Sequence, residues 1–214
     1  MTDPAPFFPM QLAPADPPPD PPPPPRPLVL VAGDSFTTGY AGLGEGPRNW
    51  TRLVSDRLGV ELVNDAVGGS GYVQTINEST FPYAISGSGL AGQVEGVVIF
   101  GGFNDRAHPP AALRIAAAVA LRLARLLYPQ AARLVVGPQF PSGNVPPEMW
   151  ALRDAVRSAA EREGARFADP LAEGWFAEPD RYIWSVDAIH PTDAGHQHLA
   201  DRIAPRVAEL LKLR

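Results

Sequence analysis

The chain has 214 residues, enough for one domain with a substantial core and short for two. Apolar residues make up 45% and charged residues 19%, the balance of a folded globular protein rather than a disordered one. With no cysteine and a net charge of −5, the sequence excludes disulfides, thiol nucleophiles, zinc fingers and iron–sulfur clusters, and it offers no general attraction to nucleic acid or anionic membranes.

The first 27 residues stand apart, holding 13 of the 26 prolines. Proline fixes φ and lacks an N–H, so the run from Pro21 to Pro25 suits neither a helix nor a central strand. Residues 1–27 are expected to be an extended, proline-rich tail serving as a spacer, ahead of a single domain at residues 28–214. Met1 to Leu12 carries Asp3 and no basic residue, so it does not read as a secretory signal, and no segment approaches the length of a membrane span. The cytoplasm is the default compartment, with secretion by another route left open.

From Leu28 onward, short β-rich runs alternate with amphipathic stretches. Leu28 to Ala32 is wholly apolar and ends at Gly33, the pattern of a buried parallel strand. Trp50, Leu53, Val54 and Leu58 recur at helical spacing within Arg48 to Leu58, and Gly59 stops that helix. Strands are expected at Val60 to Val63 and at Val97 to Phe100. Between them Ser70 to Gly92 reads as one long irregular stretch. Ala111 to Tyr128 is a helix with Arg114, Arg122 and Arg125 opposite Leu113, Ala117, Leu121 and Ala124. Leu134 to Val136 is a fourth strand, Glu148 to Glu163 a helix, and Ala165 to Ala168 a weak fifth strand. Ala194 to Leu213 is a last helix, in which Pro205 predicts a kink or a break. This alternation argues for an open parallel α/β sheet with helices on both faces, in which ligands bind at the carboxyl ends of the strands.

The residues just after the strands are therefore the ones to inspect. Gly33-Asp34-Ser35 follows the first strand, and Asn64 to Gly69 follows the second. Gly101-Gly102-Phe103-Asn104-Asp105 follows the third, and Asp187-Ala188-Ile189-His190-Pro191 precedes the last helix. Singly, each is an ordinary turn or cap. Together, in this order and spacing, they resemble the motif blocks of the SGNH-hydrolase superfamily, the GDSL-like lipases and esterases, over about residues 28 to 210. The resemblance implies a three-layer α/β/α sandwich with a central, mostly parallel five-stranded sheet of flavodoxin-like order. It implies a nucleophile at Ser35 and a partner pair at His190 and Asp187. It also implies an oxyanion hole from the Ser35 N–H, the Gly69 N–H and the Asn104 side chain. Ala66 stands where many members carry Gly or Ser, which leaves Gly68 as a neighbouring choice to Gly69.

The residue chemistry agrees. A serine hydroxyl needs an adjacent base. Of the 4 histidines, His190 alone has a carboxylate three residues earlier in a turn, and Pro191 keeps it out of helical geometry. Asp34 and Asp105 read as loop braces, His108 and His198 as solvent-facing, and His196 as a brace for the His190 turn. Gly39, Gly42, Gly44 and Gly46 read as a flexible loop without the Lys-Ser/Thr of a phosphate loop. No metal-ligand spacing is seen, so no cofactor is expected. Tyr72, Phe81, Tyr83, Trp175, Phe176 and Trp184 are candidate pocket walls. The expected activity is hydrolysis of small acyl or acetyl esters, carbohydrate- or lipid-derived. The rival readings are an acyltransferase acting on a sugar or lipid hydroxyl and a silent carbohydrate-binding homologue. The expected partner is a small-molecule ester, with no nucleic acid and no membrane span. Oligomeric state is not legible.

Overall fold

The computed structural model describes residues 25–90, 93–177 and 187–213. The chain order is β1 (Leu28–Gly33), α1 (Ser35–Thr38), α2 (Trp50–Leu58), β2 (Glu61–Asn64), α3 (Phe81–Gly87), β3 (Gly96–Phe100), α4 (Pro110–Leu127), β4 (Ala132–Val136), α5 (Pro147–Arg162), β5 (Arg166–Ala168) and α6 (Asp193–Leu210). The five strands form one sheet in the order β2-β1-β3-β4-β5, and every neighbouring pair is parallel.

Strand side chains alternate between two cores, as the period of two requires. Leu30, Ala32, Val97, Ile99 and Val135 point to a layer holding α3, α4 and α5. Val29, Val31, Val98, Phe100 and Val136 point to the other, with α1, α2 and α6. Both faces of the central strands are therefore covered, which is why β1 and β3 read as continuous apolar runs. On α4, Leu113, Ala117, Leu121 and Ala124 are buried as their spacing predicted.

Three expectations change. The stretch from Ser70 contains a helix, α3, capped by the Thr80 side chain, which accepts from the Tyr83 N–H, with Pro82 in its first turn. Its Phe81, Ala84 and Ile85 are buried core residues. The last helix runs unbroken through Pro205. Pro205 lies on the exposed face between buried Ile203, Ala204 and Val207, so the missing hydrogen bond falls where water can reach the carbonyl it leaves open. The Gly39–Gly46 loop is tied to α6 rather than loose: the Gly44 N–H donates to Asp193 Oδ1 at 2.7 Å. The proline-rich tail up to residue 24 lies outside the described residues. Among the described residues no helix is long and apolar enough to cross a membrane.

Candidate active site

Ser35 sits at the first position of α1, directly after β1. Asp34 caps that helix: its Oδ1 accepts from the Phe36 N–H at 2.9 Å. The tight strand-to-helix turn leaves Ser35 at the carboxyl edge of the sheet, where β1 and β3 end together, Gly33 beside Phe100. Asp34 is buried, and burial pushes its carboxyl up to about 7, against the backbone hydrogen bond from Phe36. The Gln139 side-chain amide lies beside the same carboxyl and also acts to lower its pKa.

The segment before α6 brings a histidine to Ser35 from the far end of the fold. His190 Nε2 is 2.9 Å from Ser35 Oγ, and His190 Nδ1 is 2.6 Å from Asp187 Oδ2. The other Asp187 oxygen accepts from the backbone N–H groups of Ile189 and His190, both at 3.0 Å. The carboxylate thus folds its own turn and holds one ring nitrogen of the imidazole. Ala188 takes the left-handed conformation, φ 56°, that closes this turn. Pro191 follows, and the Thr192 hydroxyl caps α6 by accepting from the Gly195 N–H. Phe36 lies 6.3 Å from the His190 ring, and Tyr40 stacks on it at 3.8 Å.

Gly69 and Asn104 line one cavity of about 270 Å³ together with Gln74, Arg106 and Ala107. Gly69 has φ 81°, a backbone shape that only glycine adopts without strain. The neighbouring Gly68 lies against Ser35: a Cβ there would be 3.8 Å from the Ser35 Cβ. Asn104 Nδ2 donates to the Ser70 carbonyl at 2.9 Å, which orients the amide and leaves its second hydrogen for a ligand. Asp105 braces the same loop more widely than a local turn would. Buried, it accepts from the backbone N–H groups of Tyr72, Val73 and Gln74 at 2.8–2.9 Å.

The structure sorts the remaining candidates. Tyr72 and Phe81 are core residues, ring to ring at 4.8 Å, and not pocket walls. Trp175 and Phe176 are also buried, and Trp184 lies outside the described residues. Tyr83 is exposed on α3. His108 is half-buried, 3.3 Å from Gln74 Oε1, and so is His198, which reaches the Trp175 carbonyl at 2.8 Å. His196 is fully buried. It accepts from the Trp50 N–H at 3.3 Å, and burial pushes its pKa down to about 4 although Asp193 opposes this. Sequence reasoning passed over Tyr40, Gln74 and Arg106. The available signal was a large aromatic, Tyr40, inside a glycine-rich loop that had no core to join. Among the described residues no group of three or more His, Asp or Glu side chains is placed to hold a metal ion.

A parallel sheet of this order, with a Ser–His–Asp chain at its carboxyl edge, defines a class of α/β hydrolytic enzyme. Residues 31–198 match the GDSL-like Lipase/Acylhydrolase family, so the chain belongs to that family and is a serine hydrolase acting on ester bonds. It is 35% identical over 188 residues to the GDSL lipase Rv0518 of Mycobacterium tuberculosis, covering 84% of this chain and 81% of that one. Solved structures share the fold at lower identity. Est24, a carbohydrate acetylesterase from Sinorhizobium meliloti, has 19% identity and a TM-score of 0.65, covering 86% of this chain and 100% of its own. The M. smegmatis aryl esterase has 20% identity and a TM-score of 0.66, with the same coverage of 86% and 100%.

Proposed function

We propose that the protein is an esterase for short acyl groups carried on polar alcohols, working through an acyl-enzyme on Ser35. The observation that carries this reading is the unbroken chain Ser35 Oγ–His190 Nε2, 2.9 Å, and His190 Nδ1–Asp187 Oδ2, 2.6 Å. His190 takes the Ser35 proton as the oxygen attacks the ester carbonyl, then gives it to the departing alcohol. A water molecule, deprotonated by the same imidazole, releases the acid. Asp187 holds the tautomer with the proton on Nδ1 and stabilises the imidazolium that forms in each step. The developing oxyanion is received by the N–H groups of Ser35 and Gly69 and by Asn104 Nδ2, donors already set before the reaction.

Two features support a small acyl group. The cavity beside Gly69 and Asn104 is about 270 Å³, and the side chains that line it among the described residues are Gln74, Asn104, Arg106 and Ala107, mostly polar. Its relatives in fold include proteins named carbohydrate acetylesterase and aryl esterase. Hydrolysis is favoured over transfer because the site is open to water: the Asp187 side chain is 30% exposed and that of His190 15%. The intact Ser–His–Asp chain speaks against a silent binding protein.

The test is a series of p-nitrophenyl esters of graded chain length. Acetate and butyrate should be cleaved with the highest kcat/KM and octanoate at least tenfold worse. Ser35→Ala should lose nearly all activity at an unchanged thermal midpoint, and Asp187→Asn should lose up to about 10⁴-fold. A folded Ser35→Ala protein that still cleaves these esters would overturn the mechanism, and a preference for octanoate would overturn the substrate class.

A further inference from the structure

We propose that Tyr40 is a positioning residue for His190, holding the imidazole by its ring face and stabilising it when it carries charge. The inference rests on the reading of Ser35 and His190 as nucleophile and base. Its own evidence is the contact between the two rings, whose centroids are 3.8 Å apart with planes at 13°. Asp187 fixes one ring nitrogen of His190 and Ser35 meets the other, but in-plane hydrogen bonds leave the ring able to tip about the line joining them. A flat partner on the face removes that freedom.

The loop around Tyr40 is built to hold this pose. Tyr40 and Leu43 exchange backbone hydrogen bonds of 3.0 Å in both directions. Between them Ala41 and Gly42 both have positive φ, 52° and 81°, as the two central residues of a type I′ turn do. Ala41 pays a conformational penalty there, which the surrounding contacts must hold in place. The next residues dock on the start of α6, three positions beyond His190. Gly44 N–H donates to Asp193 Oδ1 at 2.7 Å, and the same carboxylate receives Arg48 at 3.0 Å. Asn49 Nδ2 donates to the Gly44 carbonyl at 2.7 Å. Gly44 itself presses on the His196 ring, so closely that a Cβ would lie 1.9 Å from it. The segment carrying Tyr40 is thus fastened to the segment carrying His190 by a path of a few residues. Tyr40 is a member of neither core and stays 45% exposed, so packing of the interior does not account for its placement.

The chemistry suits the reaction. In both acyl transfer to Ser35 and release of the acid, the imidazole becomes imidazolium, and the negative face of an aromatic ring attracts a cation. The benefit is larger in the transition state than in the resting enzyme, so it acts on kcat.

The test compares Tyr40→Leu, Tyr40→Met and Tyr40→Phe with Ser35→Ala on p-nitrophenyl acetate, with a thermal midpoint for each. Tyr40→Leu and Tyr40→Met should lower kcat by roughly 5- to 30-fold and change KM by less than about twofold. Tyr40→Phe should stay within about twofold of the parent, because the contact is made by the ring and not by the hydroxyl. Phosphonylation of Ser35 by a small fluorophosphonate, which needs the base but no substrate pocket, should slow by the same factor. The proposal is overturned if Tyr40→Leu or Tyr40→Met keeps the parent kcat, if the loss appears in KM alone, or if Tyr40→Phe is as poor as Tyr40→Leu. A Ser35→Ala protein that remains active would instead bring down the triad reading itself.

Discussion

Two buried titratable groups beside the site push stability in opposite directions with pH. Asp34 has its carboxyl raised to about 7 by burial, from 3.8, so the folded protein keeps a proton that the unfolded chain releases. Its contribution therefore declines as pH rises from about 4 to 7, by on the order of 4 kcal/mol. His196 is lowered to about 4 from 6.5, also by burial, so the unfolded chain gains a proton that the folded one refuses. Its contribution is complete above pH 6.5 and declines as pH falls toward 4, by about 3 kcal/mol. Between pH 4 and 6.5 the two slopes largely cancel. Asp34→Asn keeps the cap acceptor for Phe36 and should uncover a stability that rises with pH in urea titrations. His196→Asn keeps an acceptor for Trp50 and should uncover the opposite slope. Two parallel, flat profiles would show that neither group is perturbed. Among the candidate site residues, the meeting of Ser35, His190 and Asp187 was legible because the roles proposed for them each demand a particular residue type at a strand end or turn. Asp34 was legible as a brace but not as a carboxyl with a high pKa, because nothing in Gly33-Asp34-Ser35 tells how deeply the turn is buried.

At the scale of elements, the regular strands and long helices followed from periodicity, and the departures have local causes. β1 and β3 are apolar throughout because both faces are covered, and α4 carries its buried stripe on every turn. The seven residues of α3 were too few for a periodic signal, although Thr80 and Pro82 mark its start. Pro205 misled because a break is costly only where the lost hydrogen bond is sealed from water, and this face of α6 is open. The four glycines from Gly39 to Gly46 suggested flexibility, yet at Gly44 the small residue serves close contact. With φ 64° and a hypothetical Cβ 1.9 Å from His196, Gly44→Ala should pull the loop off α6. We expect its thermal midpoint to fall by about 5 °C or more, since left-handed strain and overlap together cost a few kcal/mol. An unchanged midpoint in a calorimetric scan would show that the loop is not held there.

For the whole molecule, the sheet begins at Leu28, and the residue before it already belongs to the pairing: the Glu61 N–H donates to the Pro27 carbonyl at 2.8 Å. A chain starting at Arg26 should therefore keep its midpoint within a few degrees and its kcat/KM within about twofold. A larger loss would show that the proline-rich tail contributes to the domain. The five-strand order was legible only through the resemblance of the four motif blocks, because alternation of strands and helices does not by itself say which strand lies next to which. That order also separates, along the chain, the two side chains proposed to react. Ser35 and His190 touch across 155 positions of sequence. As the polypeptide leaves the ribosome, the serine turn emerges with the first strand, while its histidine and the helix that anchors the Tyr40 loop follow only after all five strands. A nascent or prematurely ended chain thus carries Ser35 without its His190 contact, and on the proposed mechanism esterase activity becomes a readout of finished synthesis.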